Sequence, residues 1–570
     1  MRLQISKSKN AASLYVIKTI YINEKEHTKI VEKLGTYDEL KKKLNGQDPI
    51  EWAKKYIEEL NKKEKEENRE ILVKYSPSKI INKDEQRSFN GGYLFLQKIY
   101  HELGLHKICK EISQKYKFDF DLNSILSRLI YGRVIFPSSK LATYQLSKRF
   151  IEQPNFDLHQ IYRALEVLAK ETDFVQSSLY ENSLKVSKRN TGVLYYDCTN
   201  YFFEIEQEDG NKQYGFSKEH RPNPIVQMGL FMDGDGIPLA FSINRGNMNE
   251  QLTLKPLEKK ILSDFNLSKF IVCTDAGLSS VDNRKFNNKD ERAFITTQSI
   301  KKLKEHLKKW ALGSGGWKLP NDIKSYDISE IDEEKDKNKV FYKERWINEN
   351  DLEQKIIVTY SIKYRDYQRK IRNSQIERAR KTIDTNPTKI KKCNQNDYKR
   401  FINKTNCTPD GEVAGNEIYT INNSLILKEE AFDGFYALCT NLDDDVSDII
   451  KVNHRRWEIE ECFRIMKSEF KARPVYLSND DRIEAHFTTC FISLIIYRLL
   501  EKRLNEKYTC HEIIAGLKNM NFQEVKGDGY TPAYTRTDFT DSLHEAFGFR
   551  TDYEIVNTNQ MKKNFRETKK

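Results

Sequence analysis

The residues in this chain whose types and spacing could do chemistry are acidic. Asp197 and Asp275 end or punctuate two runs of aromatic and apolar residues, Val193–Phe203 and Lys269–Gly277, that read as buried strands. An ionised carboxylate in an apolar layer is costly without a partner. For converging carboxylates the simplest partner is a divalent cation, and Mg²⁺ prefers oxygen donors and keeps waters for substrate phosphates. A third carboxylate, Glu460, lies on the stretch Asn453–Lys467, where apolar residues recur at helical spacing. At ~100° per residue, Asn453, Arg456, Glu460 and Lys467 share roughly 60° of arc, with Ile459, Phe463, Met466 and Phe470 beside it. This predicts one helix from Val446 to about Phe470, packed on a core and carrying a carboxylate and two cations at the border. The alternative is a surface helix in which Arg456–Glu460 is an ordinary i,i+4 pair of a few tenths of a kcal/mol. With Asp197, Asp275 and Glu460 as ligands, two Mg²⁺ (or Mn²⁺) ions could sit about 3.5–4 Å apart. One would activate a water or a 3′-hydroxyl and the other would stabilise the leaving oxygen, for in-line attack at a phosphodiester. No histidine stands at these positions, which disfavours zinc.

Composition bounds the rest. The 570 residues carry 96 Lys+Arg against 84 Asp+Glu, a net charge of +12, and a modest basic excess suits a polyanionic partner. The nine cysteines are scattered, with no C-x-x-C pair, which fits a reduced compartment and argues against a thiolate zinc site. No N-terminal stretch resembles a signal peptide. The most apolar helix, Phe487–Leu500, carries Arg498 and looks too short to span a bilayer. The expectation is a cytoplasmic protein with no membrane segment.

The elements that must position the carboxylates follow from periodicity. Residues 1–75 read as a hairpin (Ser13–Ile22 with His27–Leu34) and a charged helical linker ending in Asn61–Asn68. Residues 76–190 are helical, over Gly92–Leu103, Leu122–Tyr131, Ser139–Ser147, Asp157–Ala169 and Asp173–Lys188. Residues 191–298 switch to strands, with Asp233-Gly-Asp-Gly236 as a tight turn, so Asp233 and Asp235 are discounted as metal ligands. Their strand and helix order suggests an α/β layer. Residues 299–433 interrupt it with strands Lys339–Ile347, Gln354–Ile362 and Glu417–Leu427 and a basic helix. From Asp366 to Lys392 there are nine Lys/Arg and three Asp/Glu. Residues 434–505 return to the layer with a strand, Gly434–Cys439, the Glu460 helix and a long helix, Asp481–Asn505. Asp443–Asp445 read as a helix cap. Residues 506–570 look like a small mixed appendage with a frayed basic end.

The pattern Tyr-x2-Arg-x3-Glu-x6-Lys is the Y-R-E-K signature of IS-four-like DDE transposases of bacterial insertion sequences. Asn453, Arg456, Glu460 and Lys467 stand at its spacing, with Asn in place of Tyr. Arg456–Ser468, Arg473–Tyr476, Asp481–Phe487, Tyr196–Glu204, Thr274–Gly277, Met1–Lys9 and Lys33–Tyr37 also resemble a long-chain branch of that group, so the likeness covers nearly the whole chain. The resemblance implies an α/β fold: a ribonuclease H-like catalytic core interrupted by a β-rich insertion, with an N-terminal β-hairpin and an α-helical DNA-binding region. It implies catalysis by Asp197, Asp275 and Glu460 with two Mg²⁺ ions. It also implies phosphate contacts by Asn453, Arg456 and Lys467, and double-stranded DNA, as element ends and as target, for partner. Related enzymes act as synaptic dimers and resolve a DNA hairpin with help from an insertion tryptophan, for which Trp310, Trp317 and Trp346 qualify. The rival readings are a transposase-derived DNA-binding protein that no longer cuts and a structure-selective nuclease on the same core.

Overall fold

In the computed structural model, residues 1–7, 12–22, 25–44, 47–67, 76–385, 397–407 and 413–570 are described. The chain forms two compact units, Met1–Glu85 with Val525–Asp528, and Gln86–Glu524 with Gly529–Lys570. In the first, β1 (Arg2–Lys7), β2 (Ala12–Ile22) and β3 (Lys25–Thr36) make a three-stranded antiparallel sheet, so the expected hairpin gains a third strand. Thr36 and Glu39 form a capping box that starts α1 (Tyr37–Lys43), and α2 (Pro49–Glu67) follows. Leu14, Leu40 and Ala53 join the two layers in a small core. The last residue of the charged run, Asn68, lies outside the described residues.

The second unit begins with β4 (Ser88–Asn90) and six helices: α3 (Tyr93–Glu102), α4 (Leu105–Lys115), α5 (Leu122–Ile135), α6 (Lys140–Ser147), α7 (Leu158–Lys170) and α8 (Thr172–Val186). Side chains of Asp121 and Ser139 accept from the Ser124 and Ala142 amides, which sets where α5 and α6 start. The sequence reading lacked α4, which follows α3 after Gly104 in a left-handed conformation, φ 66°.

Five strands then build the layer that carries the aspartates. They are β5 (Val193–Phe202), β6 (Ile225–Asp233), β7 (Pro238–Arg245), β8 (Ile271–Thr274) and β9 (Ala293–Thr297), with α9 (Leu254–Asp264) and α10 (Val281–Phe286) between the later ones. β5, β6 and β7 form an antiparallel meander, and β8 and β9 run parallel to β5. In space the order is β7-β6-β5-β8-β9.

The insertion extends this sheet. After α11 (Glu305–Leu312), β10 (Phe341–Glu349) and β11 (Leu352–Tyr360) pair with each other, and β14 (Phe435–Thr440) links β11 to β9, giving eight strands. Between them lie α12 (Ile362–Thr385), the hairpin of β12 (Ile402–Cys407) and β13 (Val413–Ile421), and α13 (Asn423–Glu430). The strand expected over Glu417–Leu427 therefore ends at Ile421. The Asn422 side chain accepts from the Leu425 amide and turns the following apolar run into a helix. The basic helix is described to Thr385; residues 386–392 lie outside the described residues. Much of its charge is internally balanced, since Arg365 pairs with Glu333, and Arg369 and Arg372 with Asp433.

The helix expected from Val446 to Phe470 is not continuous. It is α14 (Val446–His454) and α15 (Trp457–Arg464), followed by a π-type turn over Ile465–Glu469. At the junction the Arg456 amide donates to Asn453 and the Glu458 amide to Arg455, a tightened i to i+3 pattern. It lets adjacent cations diverge, Arg455 to Glu458 and Arg456 to Glu460. The wide turn, closed by Phe470 N to Ile465 O at 2.9 Å, then shifts Lys467 off the ideal helical arc. Asp445 caps α14 through the Ser447 amide, as expected.

The long helix α16 (Asp480–Arg503) has 24 residues. That is enough to cross a bilayer, contrary to the sequence reading, but 94% of its apolar window is buried inside the protein. It is a core helix on which α3, α5 and α7 pack. The chain closes with α17 (Cys510–Asn519), β15 (Asn521–Val525), β16 (Gly529–Pro532), α18 (Asp538–Phe547), β17 (Val556–Asn557) and α19 (Thr558–Glu567). The end is not frayed: Met561 and Asn564 of α19 are buried, and Lys98 donates to the Glu567 carbonyl.

Candidate active site

The register of β5 and β8 decides where the two aspartates stand. Val193 pairs with Ile271 and Tyr195 with Cys273, in parallel. Two residues further on, the same register sets Asp197 opposite Asp275, one position past the end of β8. Side chains alternate along a strand. Leu194, Tyr196 and Cys198 face the α9 side of the sheet, in one core with Leu257 and Ile261. Tyr195 donates to the Val452 carbonyl of α14 at 2.8 Å, and Thr199 accepts from Lys467 at 2.6 Å. Asp197, between them, therefore faces the α14–α15 side. On β8, the Cys273 thiol meets the Asn453 side chain at 3.8 Å, so Asp275 shares that side.

The carboxylates repel. Burial, opposed by Lys218 and reinforced by Asp275, holds the Asp197 carboxyl up at about 6, against an ordinary 3.8. The Cys198 amide donates to Asp197 at 2.7 Å, and the Leu278 amide to Asp275 at 3.0 Å. Glu460 lies on α15 on the same side. It is 59% exposed and paired with Arg456 at 3.2 Å, and the Arg456 charge also acts on Asp197. The three carboxylates do not form a closed set. Among the described residues, the trio whose ligand atoms all lie within 4.8 Å of one another is Asp541, His544 and Asp552. That trio is already balanced, because Arg536 pairs with Asp541 and Arg550 with both aspartates. It is a structural network of the C-terminal region.

The stretch 201–496 matches a family model described as the transposase DDE domain. The chain belongs to that family. Asp275, Asn453, Arg456, Glu460 and Lys467 lie inside the matched stretch, and Asp197 lies four residues before it. Among solved structures the chain is similar to the cryo-EM structure of a piggyBac transposase synaptic complex with hairpin DNA, at 8% identity and a TM-score of 0.36, over 85% of this chain and 88% of that one. No curated protein matches the chain.

Cations stand close to Asp197: the charges of Lys218, Arg456 and Lys467 interact with it. Lys467 bonds Thr199, stands 3.7 Å from Glu219, and is held down at about 8 by burial and then by Lys218. Lys218 donates to the Cys198 carbonyl and pairs with Glu250 at 3.3 Å. The sequence reading missed Lys218, Glu219, Glu250 and Thr199. Lys218 and Glu219 lie in the irregular connection between β5 and β6, where no periodicity marks them. Asn453 points at the sheet, donating to the Tyr436 hydroxyl at 3.2 Å, which in turn meets Thr297 at 2.7 Å. Of the three insertion tryptophans, Trp317 is wholly buried with its indole N–H on the Gly313 carbonyl, Trp310 is half-buried, and Trp346 is exposed on β10. The Asp233–Asp235 turn is structural: Asp233 is buried on Arg189 and Asp235 accepts from the Asn190 amide.

Proposed function

We propose that this chain is the DNA transposase of a bacterial insertion sequence, of the IS-four-like kind. In this reading it binds terminal inverted repeats, cleaves both strands and joins 3′-ends to target DNA in a cut-and-paste reaction. It acts as a homodimer on DNA in the bacterial cytoplasm. The observation that carries the reading is the pair Asp197, on β5, and Asp275, just past the end of the adjacent parallel strand β8, beneath the helix of Glu460. The strand order 3-2-1-4-5 of β5 to β9 supports a ribonuclease H-like core. The donor set suits a hard divalent ion: the Asp275 charge raises the proton affinity of the buried Asp197 carboxylate, and a cation between the two oxygen donors relieves that. Asp197, Asp275 and Glu460 would hold two Mg²⁺ or Mn²⁺ ions, which when bound supply nucleophile activation and leaving-oxygen stabilisation. The Arg456–Glu460 pair opposes this little, since an exposed i,i+4 pair is worth about 0.3–0.5 kcal/mol.

The chain's own residues then have separable roles. Lys467 and Lys218 flank Asp197 and offer ammonium groups to phosphates beside the scissile bond. Arg456 shares its guanidinium between Glu460 and phosphate. Asn453, expected to contact phosphate, instead turns its amide to the sheet, onto Tyr436 and Cys273, and so positions the helices that present Arg456 and Glu460. Trp346, with an exposed ring, is the insertion tryptophan suited to stack on an unpaired base.

The deciding experiment is cleavage of a plasmid carrying the flanking element ends. Specific nicking at the ends supports transposition. End binding without cutting favours the repressor-like rival, and cutting governed by DNA structure favours the nuclease. Cleavage is expected to require Mg²⁺ or Mn²⁺, and undiminished cutting in excess chelator would overturn the metal site. Lys467→Ala is expected to lower the slope of log K against log[salt] for end binding by about 0.9, the effect of one lost phosphate contact. A parental slope with normal cleavage would make Lys467 ordinary surface charge.

A further inference from the structure

A pocket of about 220 Å³ opens between the turn joining α5 to α6 and the segment 471–477. Arg133, Lys140, Lys471, Arg473 and His486 line it, and none of its described lining residues is acidic. Arg133 is fixed by donating to the Phe470 and Ser138 carbonyls, at 3.0 and 3.3 Å. Lys140 is 5% exposed, yet its ammonium meets a ring nitrogen, His486 Nδ1 at 3.5 Å, and no carboxylate. With His486 Nε2 facing the Ala472 carbonyl at 3.2 Å, the ring donates there, and Nδ1 is the acceptor for Lys140. Burial, and then Arg133, push the Lys140 ammonium down to about 7, the direction expected of a cation without its counter-charge. α6 begins at Lys140, so the positive end of its dipole adds to the same field. Buried charges are ordinarily paired, and among the described residues no carboxylate pairs with this one.

We propose that this pocket binds a phosphate group, and that the group belongs to a DNA strand running on from the carboxylate site. The first half stands on the pocket alone; the second rests on the transposase reading. A chain of side chains joins the two sites. Arg473 at the pocket pairs with Glu219, Glu219 lies 3.7 Å from Lys467, and Lys467 bonds Thr199, two residues from Asp197. At the rim Tyr476 is 69% exposed, an aromatic face on which a base next to the bound phosphate can stack. A free phosphate would not use that ring.

The test compares the full chain with Lys140→Met, which keeps the side-chain bulk and removes the charge. Thermal melts are run in sodium phosphate and in sodium chloride at equal ionic strength and pH 7. Phosphate is expected to raise the Tm of the parent. Lys140→Met is expected to melt higher than the parent in chloride and to show no phosphate shift. Lys471→Gln, an exposed change that leaves packing alone, is expected to weaken the shift and covers the case in which Lys140→Met does not fold. No phosphate shift in the parent, or an undiminished shift in both variants, overturns the pocket. A second arm measures duplex affinity against salt. Lys140→Met is expected to lower the slope by about 0.9. An unchanged slope beside a lost phosphate shift assigns the pocket to free phosphate and overturns the DNA half. A protein that fails to cut element ends while keeping the phosphate shift loses the transposase reading and keeps the pocket.

Discussion

Asp197→Asn is expected to abolish strand cleavage and, in the absence of metal, to raise the stability of the folded chain at neutral pH. The two effects share one cause. Burial and the facing Asp275 raise the Asp197 carboxyl from 3.8 to about 6 in the folded protein. Between those values the native state holds a proton that the unfolded chain has released. Stability therefore falls as pH rises from about 4 through about 6, and the penalty is fully present at pH 7. Asparagine cannot ionise, so the variant escapes the penalty; below about pH 4 its advantage disappears. A divalent ion reverses the order, because it binds the ionised carboxylate and stabilises the native state by mass action. Mg²⁺ is thus expected to raise the Tm of the parent and to leave Asp197→Asn nearly unmoved. Asp275→Asn is expected to lose cleavage too, while moving the Asp197 titration downward by removing the facing charge. Melts from pH 4 to 8 with and without Mg²⁺, beside a cleavage assay, measure all of this. Near-parental cleavage by Asp197→Asn would remove the residue from the site, and a lower Tm at pH 7 without metal would make it a structural group.

The aspartates were legible because each breaks an apolar run, and an apolar run with period two or none is a strand signal that survives in a single sequence. Strands β5 to β9 were found this way, and so were five of the six helices before them. The facing of Asp197 and Asp275 was not legible. It comes from the register of two strands separated by 78 positions and two intervening strands, which local pattern does not encode. The Glu460 helix shows a second limit. Its apolar face was read correctly, and Ile459, Phe463, Met466 and Phe470 are buried. Its straightness was assumed, and a tight turn at Arg456 and a wide one at Lys467 redirect both cations. Lys218 was out of reach because its position depends on a loop of no periodicity. The joining of β10 and β11 to the core sheet was hidden for a related reason: a strand's pattern tells which face is buried and not which neighbour it pairs with.

Asp233→Ala is expected to produce the largest loss of stability among single changes near the core sheet, about 3–5 kcal/mol. Asp233 ends β6, and Arg189 lies in the connection between α8 and β5. Both side chains are wholly buried and meet at 2.6 Å. The guanidinium also donates to the Ser183 hydroxyl at 2.7 Å and to the carbonyls of Ile237 and Pro238 at 3.0 and 2.9 Å. The Asp233 carboxylate accepts in addition from the amides of Asp235 and Ile237. One ion pair thereby fastens the β6–β7 turn to the start of β5, the strand that carries Asp197. Removing the carboxylate strands a buried guanidinium and two amides, and both costs fall on the native state. Arg189→Met leaves the carboxylate its two amides but no counter-charge, so its loss is expected to be comparable. The pair Arg189→Met with Asp233→Ala is expected to lose less than the sum of the singles, because neither partner is then left buried alone. Urea midpoints of the three variants measure the coupling. Additive losses would show that the two residues do not act as a pair. Cleavage per folded molecule is expected to survive in all three, since this aspartate holds the sheet together and takes no part at the Asp197–Asp275 site.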